Sequence, residues 1–360
     1  MTTESPDSPA EGVTGSAIRG MVAELEADWH VDSIERSQHG TDLVAILDVR
    51  TPDESRTVVL KATTADLVAP EIARAEPRLL ELVGQSTNIP VPTVFGSCDD
   101  HDEYPTPFYL MSFVGGENFE GESGSLSVDA RKSILREAGQ NLAELHELGP
   151  LPATGKVGVQ DGELTVLDTE ENPRYDDYRD KLLDDCEETL DSLDSGGFFP
   201  DLAEKPERFA DLVPDLREFV REAIPTLPEP DEPTYCHWDY RYGNLLIDPE
   251  TGETKAVLDW ANLSATEPAS NLANTEFYLL NPESDGPEVT DHLRTVFRTA
   301  YTEARTEWSF DEETKERMEL YTLACRLGAM ACLPLWHQDA SPEEKDQREK
   351  EHRQFVSQYL

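Results

Sequence analysis

Asp239, Asn244 and Asp259 combine residue types and spacings suited to phosphorylating a hydroxyl group. Such a transfer needs an acceptor aimed for in-line attack and positive charge around the moving oxygens. Within His237-Trp238-Asp239-Tyr240-Arg241-Tyr242-Gly243-Asn244, Asp239 can accept or orient the acceptor's proton. Asn244 lies five residues later and offers a neutral oxygen to a magnesium ion. Asp259, in Val257-Leu258-Asp259-Trp260, offers a carboxylate to the same ion. Hard oxygen ligands suit that cation. His237 reads as a brace for the loop through hydrogen bonding. A purely structural reading competes, because HxD is common, loop asparagines form turns, and Asp259 could cap one.

Lys61 shifts the balance toward chemistry. It closes the apolar run Val58-Val59-Leu60, so a strand would carry it. From there it could meet the α- and β-phosphates of a nucleotide, with Glu76 holding it by an ion pair. Alone, each is an ordinary surface residue, and only their order ahead of the HxD motif joins them. Glu71 is a rival partner, because Pro77 obscures the helical register. Gly40, in Ser37-Gln38-His39-Gly40-Thr41-Asp42, could let the backbone approach phosphates closely. A plain hairpin turn explains Gly40 equally well, and the GxxxxGK pattern is absent.

These residues need a scaffold of strands followed by helices. Residues 1–15 read as a flexible acidic extension, and a helix is expected from Ile18 to Trp29. Leu43–Val49 and Thr57–Lys61 read as a hairpin, Glu71–Val83 as a helix, and Thr93–Gly96 and Pro107–Val114 as further strands. Gly115-Gly116 marks a crossing between lobes. Beyond it, helices are expected at Ala130–Leu148, Tyr175–Leu190, Glu207–Ala223, 269–280, 288–304 and 311–333. Short hairpins are expected at 156–169 and at Asn244–Asp259. The expected fold is α+β and bilobal. A strand-rich N-terminal nucleotide-binding lobe spans 16–115, a mainly helical C-terminal catalytic and substrate lobe spans 116–340, and a peripheral helix spans 341–360.

The 360 residues suffice for two lobes, and the net charge of -45 narrows the class of partner. No basic stripe is available to meet nucleic-acid phosphates. Asp and Glu are spread along the chain, a surface suited to high salt that resembles proteins of salt-in halophiles, notably haloarchaea. The five cysteines contain no CxxC pair, so a disulfide framework or structural zinc site is not expected. No stretch approaches a transmembrane span, and the cytoplasm is the expected location. The oligomeric state is left open.

Taken together, His237-x-Asp239-x-x-x-x-Asn244 followed by Val257-Leu258-Asp259-Trp260 resembles the aminoglycoside phosphotransferase and choline kinase-like superfamily. These are small-molecule kinases with a protein-kinase-like fold. Lys61 after an apolar strand, Glu76-Pro77-Arg78-Leu79-Leu80 and Leu142-Ala143-Glu144-Leu145-His146 support the resemblance, which covers roughly residues 30–335. It implies that Asp239 is catalytic, that Asn244 and Asp259 bind Mg2+, and that Lys61, paired with Glu76, binds ATP phosphates. It also makes Tyr109–Val114 the adenine hinge, with Met111 and Gly40 among the nucleotide-binding residues. The acceptor would be a hydroxyl of a sugar, amino sugar, amino alcohol or similar metabolite.

Members often carry an Asp-Leu-Ala sequence downstream whose carboxylate braces the catalytic loop. Here Asn271-Leu272-Ala273 puts a neutral amide at that place. A nucleotide-binding regulatory protein without transfer activity is therefore a second reading. A protein kinase is a third, opposed by the absence of an Ala-Pro-Glu segment after Asp259.

Overall fold

A computed structural model describes residues 12–37, 42–64 and 68–360. Gly40 and residues 1–11 of the expected extension lie outside the described residues.

The first part is a five-stranded antiparallel sheet: β1 (His30–Arg36), β2 (Leu43–Arg50), β3 (Ser55–Ala62), β4 (Val94–Cys98) and β5 (Phe108–Ser112), ordered β1-β2-β3-β5-β4. β2 alternates as a half-buried strand should, with Leu43, Ala45, Leu47 and Val49 buried. α1 (Gly15–Leu25), capped by the Thr14 hydroxyl, lays Ile18, Met21 and Val22 on that face. It stops short of the expected Trp29, and β1 follows. β1 escapes sequence reading because His30-Val31-Asp32-Ser33-Ile34-Glu35-Arg36 is mostly polar and buries only Val31. In β3, by contrast, Val58, Val59 and Leu60 are all buried, and Lys61 pairs with Tyr109 of β5.

The helix expected from Glu71 is two pieces, α2 (Pro70–Ala73) and α3 (Ala75–Ser86). Pro77 falls in the first turn of α3, where a missing N–H costs no intrahelical bond. Leu79, Leu80 and Val83 of α3 belong to the larger core of the second part, not to the cluster between α1 and the sheet. After β5 the chain crosses over, and Glu117 exchanges both backbone hydrogen bonds with Ile247 at 2.9 Å. Gly116 is needed at this crossing, because a Cβ there would come within 2.9 Å of Leu246 and 3.2 Å of the Ile247 nitrogen.

The second part holds α4 (Val128–His146), β6 (Gly155–Gln160), β7 (Glu163–Val166), α5 (Tyr178–Leu193), α6 (Val213–Ala223) and β8 (Thr234–Cys236). It continues through β9 (Leu245–Ile247), β10 (Thr254–Val257), β11 (Ser264–Thr266), α7 (Pro268–Leu279), α8 (Pro282–Asp285), α9 (Pro287–Ala304), α10 (Glu312–Trp336) and α11 (Pro342–Val356). β9 and β10 form the expected hairpin. β7, β6, β11 and β8 form a four-stranded sheet in that order. β8 and β11, three residues each, are too short for a period-two pattern to reveal them. The fold is thus α+β, a strand-rich N-terminal part on a mainly helical remainder. Among the described residues, no helix is long and apolar enough to cross a membrane.

Candidate active site

Lys61 is the first candidate side chain the fold positions. Its Nζ lies 2.6 Å from Glu76 Oε2 and 3.9 Å from Asp259 Oδ1. Glu76 is buried on α3, and this contact selects it over Glu71. Burial alone would lower the lysine's pKa, but the carboxylates of Glu76 and then Asp259 outweigh it and hold the ammonium above its usual value. A charge pair this enclosed is costly to break one-sidedly, because the remaining charge has nowhere to go. Tyr109 opposes Lys61 across the strands, and burial followed by the Glu76 charge keeps its phenol protonated. Met111 lies on β5 opposite Val59, just before the crossing.

The loop after β8 carries Asp239, both of whose carboxylate oxygens are engaged. Asn244 Nδ2 donates to Asp239 Oδ2 at 2.7 Å and to its backbone carbonyl at 2.9 Å. Arg241 Nε donates to Oδ1 at 2.7 Å, and its Nη1 lies 2.9 Å from Glu120 Oε1. Gly243 keeps this corner open, since a Cβ there would strike Arg241 and Glu120. His237 is the brace expected of it. Its Nδ1 accepts the Asp239 N–H at 3.2 Å and its Nε2 donates to the Leu258 carbonyl at 3.0 Å. Those two bonds fit one neutral tautomer, and burial pushes the imidazole pKa down, as that tautomer requires. Trp260 stands edge-on to the His237 ring at 4.9 Å and is itself buried.

Asp259 ends the β10 run in a left-handed conformation, φ 62° and ψ 63°. For a residue with a Cβ this costs about 1–2 kcal/mol, a strain typical of positions where the direction of a side chain matters. The Leu258 N–H meets the Asn244 carbonyl at 2.8 Å, so the hairpin fixes Asp259 relative to Asn244. Among the described residues, no group of three His, Cys, Asp or Glu side chains could hold a metal alone. One carboxylate and one amide oxygen suit a cation that completes its shell with phosphate and water, as magnesium does. The Nδ2 of Asn244 is committed to Asp239, which leaves Oδ1 as the atom it could offer a cation.

Asn271, on α7, clamps the loop from beneath. Its Oδ1 accepts the His237 N–H at 3.1 Å and its Nδ2 donates to the His237 carbonyl at 2.8 Å. A carboxylate could accept the first bond but not donate the second. Oδ1 also lies 3.1 Å from His146 Nε2, and His146 Nδ1 lies 2.8 Å from the Tyr301 hydroxyl. Burial pushes His146 down to about 3, so it sits neutral under the loop. Sequence reasoning missed His146 and Tyr301 as members of the site. His146 closes the Leu142–His146 match, but nothing local ties it to Asn271, 125 residues away.

Beside Asp239 opens a cleft of about 880 Å3, lined among others by Arg241, Tyr242, Tyr278, Trp336 and His337. Tyr240 and Trp260 are buried behind the loop, with the Tyr240 hydroxyl receiving a 3.0 Å bond from Asn141. Among the sequence-predicted residues, the structure gathers Lys61, Glu76 and Asp259 into one contact set and Asp239 and Asn244 into another, joined through the β9–β10 hairpin.

The model of the phosphotransferase enzyme family matches residues 48–310. A ternary complex of aminoglycoside phosphotransferase APH(4)-Ia with AMP-PNP and hygromycin B has a similar fold. Its TM-score is 0.57 at 13% identity, covering 96% of this chain and 99% of that one. The ethanolamine kinase of Plasmodium vivax gives a TM-score of 0.52 at 13% identity, covering 91% of this chain and 82% of that one. At such identities the likeness shows the fold. Among curated proteins, acyl-CoA dehydrogenase family member 11 of Gallus gallus is 26% identical over 195 residues, 54% of this chain and 21% of the relative. Member 10 of Mus musculus is 24% identical over 189 residues, 52% of this chain and 15% of the relative. The chain spans between 15% and 24% of the length of the curated relatives it matches.

Proposed function

The chain belongs to the phosphotransferase enzyme family, and from that premise we propose that it transfers a phosphoryl group from ATP to a hydroxyl of a small metabolite. The observation carrying this reading is the approach of Lys61 Nζ to within 3.9 Å of Asp259 Oδ1, across 198 positions of sequence. ATP with magnesium supplies the activated phosphoryl group. Lys61, fixed by Glu76, binds phosphate oxygens, and Asn244 Oδ1 with the Asp259 carboxylate holds Mg2+. Met111 and its neighbours at the crossing face the adenine. Asp239 orients the acceptor hydroxyl and takes its proton, while Asn244 and Arg241 fix the carboxylate. Residues 16–115 act as the nucleotide lobe, 116–340 as the catalytic and acceptor lobe, and 341–360 as a peripheral helix.

A sugar, amino sugar, amino alcohol or similar hydroxyl compound fits the reaction. The acidic surface fits a cytoplasm rich in potassium chloride, so activity is expected at high salt. Asn271 does not favour a reading without transfer, because its amide makes two backbone bonds to the loop. The test is phosphate transfer from ATP across a metabolite panel, with magnesium, at high potassium chloride. ATP binding without phosphorylation of any panel member counts against the proposal.

A further inference from the structure

Asp239 is held by a guanidinium that serves two carboxylates at once. Arg241 gives its Nε to Asp239 Oδ1 at 2.7 Å, while its Nη1 lies 2.9 Å from Glu120 Oε1. Left with a single carboxylate, a guanidinium favours a two-pronged grip, with neighbouring N–H groups on both oxygens. The pull of Glu120 on the far edge of the fork opposes that grip. Asn244 takes Asp239 Oδ2 at 2.7 Å, so the carboxylate is steered by one N–H at each oxygen. A carboxylate has about four acceptor sites, which leaves room for an acceptor hydroxyl.

Glu120 is placed for this task by a strap, residues 117–122, that follows the crossing between the two parts. Glu117 fastens its start to Ile247 of β9 through both backbone bonds, at 2.9 Å. The Asn118 side-chain nitrogen donates to the Gly243 carbonyl, and its Oδ1 accepts the Glu120 N–H at 3.0 Å. Phe119 is buried in the larger core and pins the middle of the strap. Gly121, at φ 72°, turns the chain directly after Glu120. The strap thus meets the loop after β8 at two neighbouring points, Gly243 and Arg241. Stability does not account for the second. The Glu120 side chain is 56% exposed, and an ion pair so open to water adds little to folding. Glu120 and Arg241 also both line the cleft beside Asp239, where an acceptor would enter.

Resting on the phosphotransferase reading, we infer that Glu120 is a positioning residue for the transfer. It acts through Arg241, holding the guanidinium off a two-pronged grip so that the Asp239 carboxylate stays open to the acceptor hydroxyl. Without Glu120 the fork closes on Asp239, fills the sites that the hydroxyl needs and draws the carboxylate away from Asn244.

The test uses the full chain with magnesium and, as acceptor, the panel member that the unaltered chain phosphorylates fastest. Glu120→Gln should lower kcat about ten- to a hundredfold, the range for a misaligned reacting group, with little change in the KM for ATP or acceptor. Glu120→Asp, which keeps the charge, should recover part of the loss. In an Arg241→Met background, Glu120→Gln should cost nothing further, because the residue it acts through is gone. The crystal structure of Glu120→Gln should show two Arg241 nitrogens on the Asp239 carboxylate in place of one. An undiminished loss in the Arg241→Met background, or a rise in acceptor KM alone, overturns the inference, since Glu120 would then touch the acceptor itself. Unchanged kcat with a lower melting temperature overturns it too, leaving a structural contact only. An unmoved Arg241 in the variant's crystal structure overturns it whatever the activity. If no panel member is phosphorylated, the kinase reading fails by itself, and the crystal comparison still decides whether Glu120 restrains Arg241.

Discussion

At the proposed phosphate end of the site, the Lys61 ammonium lies 2.6 Å from Glu76 and 3.9 Å from Asp259. At the proposed acceptor end, Arg241, Arg294, Arg326 and Arg348 come from the loop after β8, α9, α10 and α11 and line an open cleft of about 880 Å3. The first region is small, enclosed and fixed by single contacts. The second is wide, and several side chains share its work. On the proposed reading, chemistry common to all phosphoryl transfers concentrates in the first, because in-line geometry tolerates little variation. On the same reading, selection of an acceptor is spread over the second. Substitutions should therefore act steeply in one region and gradually in the other.

The steepest expected effect is at the junction. Asp239→Asn should lower kcat/KM about 10^2–10^4-fold, the range for loss of a positioned proton acceptor, while calorimetry shows ATP binding retained. Next, Lys61→Met should cost about 10^2–10^3-fold in kcat, typical of one preorganised cationic contact, and leave Glu76 buried without its partner. If it changes only the acceptor KM, the division between the two ends fails. Asn271→Asp removes the donor to the His237 carbonyl and should destabilise the fold by about 1–3 kcal/mol in a denaturant titration. The introduced carboxylate should also raise the His146 pKa, readable by NMR titration, which simple loss of packing would not do.

A gentler effect follows from His146 itself. Its pKa falls from 6.5 to about 3 on folding, so the unfolded chain binds the proton more readily. Stability contributed by the neutral ring is complete above pH 6.5 and is lost as pH falls toward 3. The slope is about 1.4 kcal/mol per pH unit for each such histidine. Melting temperatures between pH 7 and 4 should fall less steeply in His146→Gln, measured against its own value at pH 7. Smallest of all, Trp336→Ala, at an exposed ring of the acceptor end, should raise the acceptor KM with little change in the KM for ATP.

The same contrast explains what could be read from the sequence. Asp239, Asn244 and Asp259 stand at fixed local spacings on one loop and one hairpin, so their grouping was legible before the fold was known. Lys61 was legible through the apolar strand before it. Glu76 could not be separated from Glu71 until Pro77 was seen inside the first turn of α3. Asn271 was placed beside the loop only by the family resemblance, and the part of His146 was out of reach, because it depends on α4, α7 and the loop meeting in three dimensions. The cleft left no local signal either, since its arginines come from the loop, α9, α10 and α11. Burial places Tyr240 and Trp260 in the packing of the loop.

The central claim is that Lys61, Asp239, Asn244 and Asp259 form one phosphoryl-transfer site. Its most direct measurement is mass-spectrometric detection of a phosphorylated acceptor made from ATP and magnesium at high potassium chloride, comparing the unaltered chain with Asp239→Asn. Product is expected from the unaltered chain, with a loss of about 10^2-fold or more in the variant and ATP binding intact in both. Full turnover by the variant would contradict the claim.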